Sequence, residues 1–140
     1  MAATIIDGFE IARQVREEVA NKTAELKTKG INPCLAVILV GENPASVSYV
    51  TGKQKALAEV GMLDKSIKLP ESTSEEELLA LIDQLNKDDS VHGILVQLPL
   101  PKHINEQKVI LAISPDKDVD GFHPVSVGNL VIGNKSYLPC

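Results

Sequence analysis

The run from Cys34 to Val40 constrains the fold of this chain more than any other segment. All of its residues are apolar and branched side chains predominate, while Pro33 precedes it and Gly41 follows it. A strand without alternating polar residues is buried on both faces, as in a parallel sheet that helices cover on each side. The run therefore predicts an α/β domain.

The rest of the chain alternates between helical and strand patterns. Four helices are predicted from caps, glycines, prolines and apolar periodicity, at residues 7–30, 43–61, 74–85 and 105–113. The first of them carries an apolar stripe of Ile11, Val15, Val19 and Leu26. Further strands are predicted at residues 66–69 and 92–98, and a turn-rich segment at residues 125–140. Such alternation predicts a three-layer αβα domain with a mostly parallel sheet.

Composition narrows the classes of function. A chain of 140 residues with 44% hydrophobic residues suits one globular domain. Its formal charge of -5 and its lack of a basic cluster make nucleic acid an unexpected partner. No apolar stretch is long enough for a bilayer and no secretory signal is recognisable, so no membrane association and a cytoplasmic location are expected. Cys34 and Cys140 are expected to be free thiols.

Three polar residues stand where ligands bind in parallel sheets, beyond the carboxyl ends of the strands. Gln97 ends the last apolar strand, a position that fits either a core amide satisfied by backbone or a ligand contact. Tyr49 and Lys53 lie four residues apart on one helix and so share a face. Helical lysines are usually solvated, but this stripe continues to Ala56 and Val60. A partly desolvated lysine exchanges protons nearer neutrality.

Residues 116–121 raise the alternative of a calcium loop. Acids at its first, third and fifth positions and glycine at the sixth match the start of an EF-hand. The glutamate required at position twelve is replaced by Val127, and Pro115 interrupts the preceding helix. We therefore predict no metal site. A solvated acidic turn and an acceptor aimed at a ligand both remain open.

The spacing of Tyr49 and Lys53 also matches that of short-chain dehydrogenases. That family requires a glycine-rich dinucleotide loop after a strand near the N-terminus. The turn after the first core strand, residues 41–44, has no second glycine that would let a pyrophosphate approach. The short-chain dehydrogenase interpretation is rejected for this reason.

Four segments carry a specific resemblance when they are taken together and in order. They are VGENPAS at residues 40–46, YVTGKQK at 49–55, GILVQLPLP at 93–101 and PDKDVDG at 115–121. With them the whole chain resembles the bifunctional dehydrogenase/cyclohydrolase family known as FolD. The resemblance implies an enzyme that oxidises 5,10-methylenetetrahydrofolate with NADP. It also implies hydrolysis of the methenyl product to 10-formyltetrahydrofolate in the same cleft.

The resemblance assigns catalytic roles to three residues. Lys53 would relay protons as water adds to the one-carbon bridge and the ring opens, which is general acid and base work. Gln97 would hydrogen-bond near the lysine and position it. Tyr49 would stack on the aromatic body of the folate and help to orient Lys53.

The same resemblance implies substrate contacts beside these groups. Asp120 would accept hydrogen bonds from the amino and ring NH groups of the pterin. Val96 and Leu98 would add backbone contacts on either side of Gln97. The binding set implied for folate is therefore Tyr49, Lys53, Val96, Gln97, Leu98 and Asp120.

The resemblance also implies a division of the chain. Residues 1–120 would form the folate-binding catalytic domain, and residues 121–140 would begin the connection toward an NADP-binding Rossmann domain that this sequence does not contain. The full-length protein would be a homodimer. The 140 residues alone are expected not to oxidise methylenetetrahydrofolate. The alternative is a non-catalytic small-molecule binding module of the same fold.

Overall fold

The computed structural model describes residue 3 and residues 5–139. Within that part of the chain the elements follow in the order α1 Gly8–Thr28, β1 Cys34–Val40, α2 Pro44–Glu59, β2 Leu63–Leu69, α3 Glu75–Lys87, β3 Gly93–Val96, α4 Glu106–Ala112 and α5 Pro124–Val131. The strands form one parallel sheet in the order β2-β1-β3. The strand that the sequence marks as most buried, β1, is therefore the central one.

Both faces of the sheet are covered by helices. On one face Ile38 packs into a core with residues of α3 and α4, such as Leu78 and Val109. On the other face Val37 packs against Val50 of α2. The alternate side chains of β1 thus enter two different cores, which is why the strand has no polar face. The predicted three-layer αβα domain with a parallel sheet is confirmed.

The two edges of the sheet differ. β2 forms one edge, and its Asp64 and Lys68 side chains are exposed. At the other edge the backbone N–H of Ile94 in β3 donates to the carbonyl oxygen of Lys117 at 2.8 Å. An isolated parallel bridge also joins Ile94 to Asp118. The loop at residues 116–121 is therefore attached to the β3 edge by its backbone.

The predicted helices α1 to α4 all occur, with bounds close to those expected. Asp7 caps α1 by accepting from the N–H groups of Phe9 and Glu10 at 3.0 and 3.2 Å. The apolar stripe predicted on α1 is less buried than its spacing suggests. Ile11 and Val15 in this stripe are 49% and 52% exposed. The helix packs on α2, and neither side chain lies in the two cores described above.

Ser74 begins α3 with the predicted capping box. Its hydroxyl accepts from the N–H of Glu77 at 3.2 Å, and the Glu77 carboxylate accepts from the N–H of Ser74 at 2.8 Å. Replacing Ser74 with alanine should lower the free energy of unfolding by about 1 kcal/mol, because a helix N–H loses its acceptor. Chemical denaturation measures this loss. Ser72→Ala, at an exposed position before the helix, is the matched control, and equal losses would contradict the cap.

Two predicted strands have different lengths in the structure. β2 begins at Leu63 instead of Ser66, because its register pairs Leu63 with Cys34 at the start of β1. β3 covers only Gly93–Val96 of the predicted 92–98. The N–H of Gln97 still donates to the carbonyl of Ile38 at 2.8 Å, after which the chain leaves the sheet ahead of Pro99. The Leu98–Pro99 peptide bond is cis.

The turn-rich segment predicted at residues 125–140 is wrong for its first part, which forms α5. His123 caps this helix by accepting from the N–H of Val125 at 3.1 Å, and Pro124 occupies the first turn. Both features favour a helix start. Gly128 in the middle of α5 and the short length of the helix weakened its pattern in the sequence.

Two further expectations concern membrane-spanning helices and the cysteine thiols. None of the helices in the described residues has the length and apolar character needed to cross a membrane. Cys34 is a free thiol in the core, and its burial raises the pKa of the thiol above the ordinary value. Cys140 lies outside the described residues.

Candidate functional site

Lys53 and Gln97 meet beyond the carboxyl ends of the strands. Lys53 lies on α2 and Gln97 directly follows β3, and the ammonium Nζ donates to the amide Oε1 at 2.9 Å. Both residues are half-buried. The contact joins residues that are 44 positions apart, so the packing of α2 on the sheet creates it. Lys53 is therefore not the fully solvated lysine that is usual on a helix surface.

The amide of Gln97 has a fixed orientation. Its Nε2 donates to the carbonyl oxygen of Leu98 at 2.7 Å, which leaves Oε1 directed at Lys53. An amide held from both ends cannot exchange its oxygen and nitrogen without losing both bonds. The backbone interpretation of Gln97 therefore describes its nitrogen, whereas its oxygen accepts from Lys53.

Tyr49 lies one turn before Lys53 on the same face of α2, and its side chain is 67% exposed. A groove of about 330 Å³ opens beside it. The residues that line this groove are mostly small, and they are Ser48, Tyr49, Gly52, Lys53 and Ala56. The exposed tyrosine ring and the small side chains beside it leave room for a planar ligand to lie on the helix next to the Lys53 ammonium.

Asp120 is half-buried at the edge of an apolar recess between β3 and α4. Burial raises the pKa of Asp120 above its ordinary value, the Lys53 ammonium partly opposes this rise, and the Asp118 carboxylate adds to it. The carboxylate is thus costly to ionise in the free protein, and added hydrogen-bond donors would stabilise it. Asp120 is consequently not part of a solvated acidic surface, whereas Asp116 in the same turn is exposed.

Val96 and Leu98 line the same recess as Asp120. Val96 is buried at the end of β3, and Leu98 is half-buried and accepts from the Gln97 amide. A continuous row of residues therefore joins the groove on α2 to the recess beside Asp120, and it consists of Lys53, Gln97, Leu98 and Val96. Tyr49 lies at the outer end of this row.

Two residues that the sequence analysis did not select hold the turn that carries Asp120. Lys117 Nζ donates to three backbone carbonyls at the end of α3, each at 2.9 Å. Asp118 is 2% exposed, and its carboxylate accepts from the N–H of His123 and the hydroxyl of Ser126, both at 2.9 Å. Asp118 is the second acid of the calcium pattern and Asp120 is the third. The Asp118 carboxylate is thus already hydrogen-bonded within the fold.

Gly121 closes the turn in a conformation that only glycine adopts readily. Its φ angle is +71°, and a Cβ atom there would lie 2.7 Å from the carbonyl oxygen of Tyr137. The hydroxyl of Ser136 donates to the carbonyl of Ser126 at 2.8 Å in the same region. Residues 136–139 therefore pack directly against the turn behind Asp120.

The turn between β1 and α2 does not fit a dinucleotide. Gly41 has a φ angle of +81°, and a Cβ atom there would contact the side chain of Glu71 at 3.6 Å. Glu42 and Glu71 both line the groove of about 350 Å³ at this turn. A pyrophosphate placed at the start of α2 would face two carboxylates, so the described residues offer it no favourable site here.

Comparison with known protein families identifies one family over most of the chain. The family model described as "Tetrahydrofolate dehydrogenase/cyclohydrolase, catalytic domain" matches residues 6–120. The bifunctional protein FolD of Exiguobacterium sibiricum is 60% identical over 99% of this chain and 50% of its own length. The FolD protein of Moorella thermoacetica is also 60% identical, over all of this chain and 50% of its own.

Solved structures give the same result. The bifunctional FolD enzyme of Campylobacter jejuni superposes with a TM-score of 0.97 at 52% identity, over 99% of this chain and 50% of that chain. The Trypanosoma brucei FolD enzyme, solved with NADP cofactor and inhibitor, superposes with a TM-score of 0.93 at 36% identity, over all of this chain and 49% of its own. The present chain thus spans about half the length of the relatives it matches.

Proposed function

This chain belongs to the tetrahydrofolate dehydrogenase/cyclohydrolase family, and we propose that it is the folate-binding and proton-transferring part of a bifunctional enzyme. The complete enzyme oxidises 5,10-methylenetetrahydrofolate with NADP and hydrolyses the methenyl product to 10-formyltetrahydrofolate. The observation that carries the proposal is the Lys53 to Gln97 hydrogen bond at the strand ends, within electrostatic range of the half-buried Asp120.

Substrate binding follows from the charges and surfaces of the site. Asp120 accepts hydrogen bonds from the amino and ring NH groups of the pterin, which supply donors to its half-buried carboxylate. Among the described residues, no hydrogen bond contributes to the pKa of this carboxylate. The exposed ring of Tyr49 stacks on the aromatic body of the folate, and Val96 and Leu98 contribute backbone contacts.

Proton transfer is assigned to Lys53. In the reacting state the neutral amine of Lys53 accepts a proton from water as the oxygen adds to the one-carbon bridge. The ammonium formed in this way returns that proton to the ring nitrogen that departs when the ring opens. Gln97 keeps the lysine nitrogen at one place through the 2.9 Å hydrogen bond. A nitrogen held in position loses little freedom when the substrate arrives, which lowers the barrier to the transfer.

The remaining parts of the proposal concern the complete protein. Residues 1–120 form the folate-binding catalytic domain, and residues 121–140, including α5, begin a connection to an NADP-binding domain. NADP is the hydride acceptor and is bound by residues outside this chain, since the turn after β1 does not fit its pyrophosphate. The complete protein is a cytoplasmic homodimer that uses no metal.

Titration of the chain with tetrahydrofolate tests the binding site directly. Calorimetry should show saturable binding, and the NMR signals of Tyr49, Gln97 and Asp120 should move together. A matched ligand that lacks the pterin, p-aminobenzoylglutamate, should bind more weakly because it cannot contact Asp120. Tetrahydrofolate that fails to bind, or that moves none of these signals, would reject the proposed site.

Asp120→Asn should have two opposite effects. Folate affinity should fall between about tenfold and about 100-fold, because charged hydrogen bonds become neutral ones. The free protein should become more stable at pH 7, because an ionised carboxylate whose pKa is raised by burial disfavours the folded state above that pKa. The gain in melting temperature should vanish as the pH falls and the Asp120 carboxyl becomes protonated in the folded state.

Asp116→Asn on the same loop is the matched control, since Asp116 is exposed. It removes the same formal charge without changing a half-buried group, so folate affinity should stay within about threefold. Equal losses of affinity in the two variants would show that general electrostatic attraction, and not a contact of Asp120, accounts for the effect.

A further inference from the structure

Lys117 makes an unusual contact with the end of α3. Its Nζ donates to the carbonyl oxygens of Leu85, Asn86 and Asp88, each at 2.9 Å. An ammonium has three N–H donors, so all of them are used. The last carbonyls of a helix lack partners within the helix and carry partial negative charge. Lys117 therefore acts as the cap of α3 from a distant part of the chain.

The same residue begins the turn that carries Asp120. The Lys117 carbonyl accepts from the N–H of Ile94, which fixes the height of the loop along β3. Asp118 ties the far side of the turn to the start of α5 through His123 and Ser126. The bridge to Ile94 and the Asp118 side chain hold the loop at the sheet edge and at the start of α5. The three bonds of the Lys117 ammonium add a separate attachment to the end of α3, which fixes the loop relative to that helix.

We propose that Lys117 is a positioning residue that sets the Asp120 carboxylate for the pterin by tying the turn at residues 117–121 to the carboxyl end of α3. The identity of the ligand rests on the proposed function, but the position of Asp120 is a property of the free protein. Lys117 lies at the α3 carbonyls and not in the groove or the recess, so it acts on the substrate only through Asp120.

The test uses Lys117→Met, which keeps an unbranched apolar stem and removes all three donors. The Asp120 side-chain carboxyl is titrated by carbon-13 NMR in the free chain. In the wild type it should titrate above the ordinary aspartate value because of burial. In Lys117→Met the carboxyl should become more exposed to water and titrate closer to the ordinary value. Tetrahydrofolate affinity should fall between about tenfold and about 100-fold.

Lys108→Met is the matched control. Lys108 also bonds to α3, through the Glu75 carboxylate at its opposite end, and does not contact the turn. It should leave both the Asp120 titration and the folate affinity unchanged, even where it lowers the melting temperature. A purely structural role for Lys117 would likewise lower the melting temperature of its variant without moving the Asp120 titration.

The outcomes separate this inference from the proposed function. A folded Lys117→Met variant with a wild-type Asp120 titration overturns the positioning role. If Lys117→Met does not fold, Lys117→Gln is measured by the same criterion. A shifted titration in a chain whose wild type binds no folate supports the positioning role and rejects the proposed function. A shifted titration together with weakened binding supports both.

Discussion

In a full-length protein that carries this domain, Lys53→Met is expected to reduce hydrolysis of methenyltetrahydrofolate between about 10²-fold and about 10⁴-fold. The reason is that methionine cannot carry a proton between the attacking water and the leaving nitrogen. Methionine has nearly the length of lysine and fills the same space beside Gln97, so folding should persist, and folate should still bind through the remaining contacts of the site. Single-turnover hydrolysis, followed by loss of the methenyl absorbance, measures the effect.

Lys55→Met is the matched control for that experiment. Lys55 lies two positions further along α2 and is exposed, so its replacement removes a charge without touching Gln97. Its hydrolysis rate should stay within about threefold of the wild type. If Lys53→Met binds folate and still turns over at the wild-type rate, the chain is a binding module and its lysine has no catalytic role.

Ile38→Ala should cause the largest loss of stability, between about 2 and about 5 kcal/mol in the free energy of unfolding. Ile38 is fully buried at the centre of β1, between Ile67 of β2 and Val96 of β3. Truncation removes buried methyl and methylene groups and leaves a cavity that three paired strands cannot close. Urea denaturation, followed by circular dichroism, measures the change.

Ile132→Ala provides the comparison for the same chemical change outside the core. Ile132 is 72% exposed at the end of α5, so its truncation should alter the free energy of unfolding by less than about 0.5 kcal/mol. Similar losses in the two variants would show that β1 is not the centre of a cooperative core.

The elements that the sequence predicts well are those that depend on neighbouring residues. The apolar run of β1 occurs as predicted, and Asp7, Asn43 and Ser74 cap the helices predicted to start at residues 7, 43 and 74. Each depends on contacts within a few positions or on a simple requirement for burial. α5 was not predicted, because its His123 cap is less common than serine or aspartate and a glycine interrupts its apolar residues.

The site was predictable only in outline. The sequence places Tyr49, Lys53 and Gln97 at one edge of a parallel sheet, and the structure brings Lys53 and Gln97 into contact. Whether the acidic turn is solvated could not be decided, because the burial of Asp120 depends on the distant packing of β3 and α4.

The role of Lys117 could not be predicted from the sequence. Its three acceptors are 29 to 32 positions away and form no recognisable motif. Lys117 caps α3 because the fold places the end of this helix beside the loop that begins with Lys117.

The two sheet edges determine how copies of this domain meet at high concentration. At β3 the attachment of Lys117 and Asp118 to Ile94 leaves less free backbone for an incoming strand. At β2 a second chain would have to align its own residues with the exposed Asp64 and Lys68. Charged side chains on an edge discourage such strand addition. Concentrated solutions of the domain should therefore resist fibril growth through the sheet, and any association should proceed through helical surfaces.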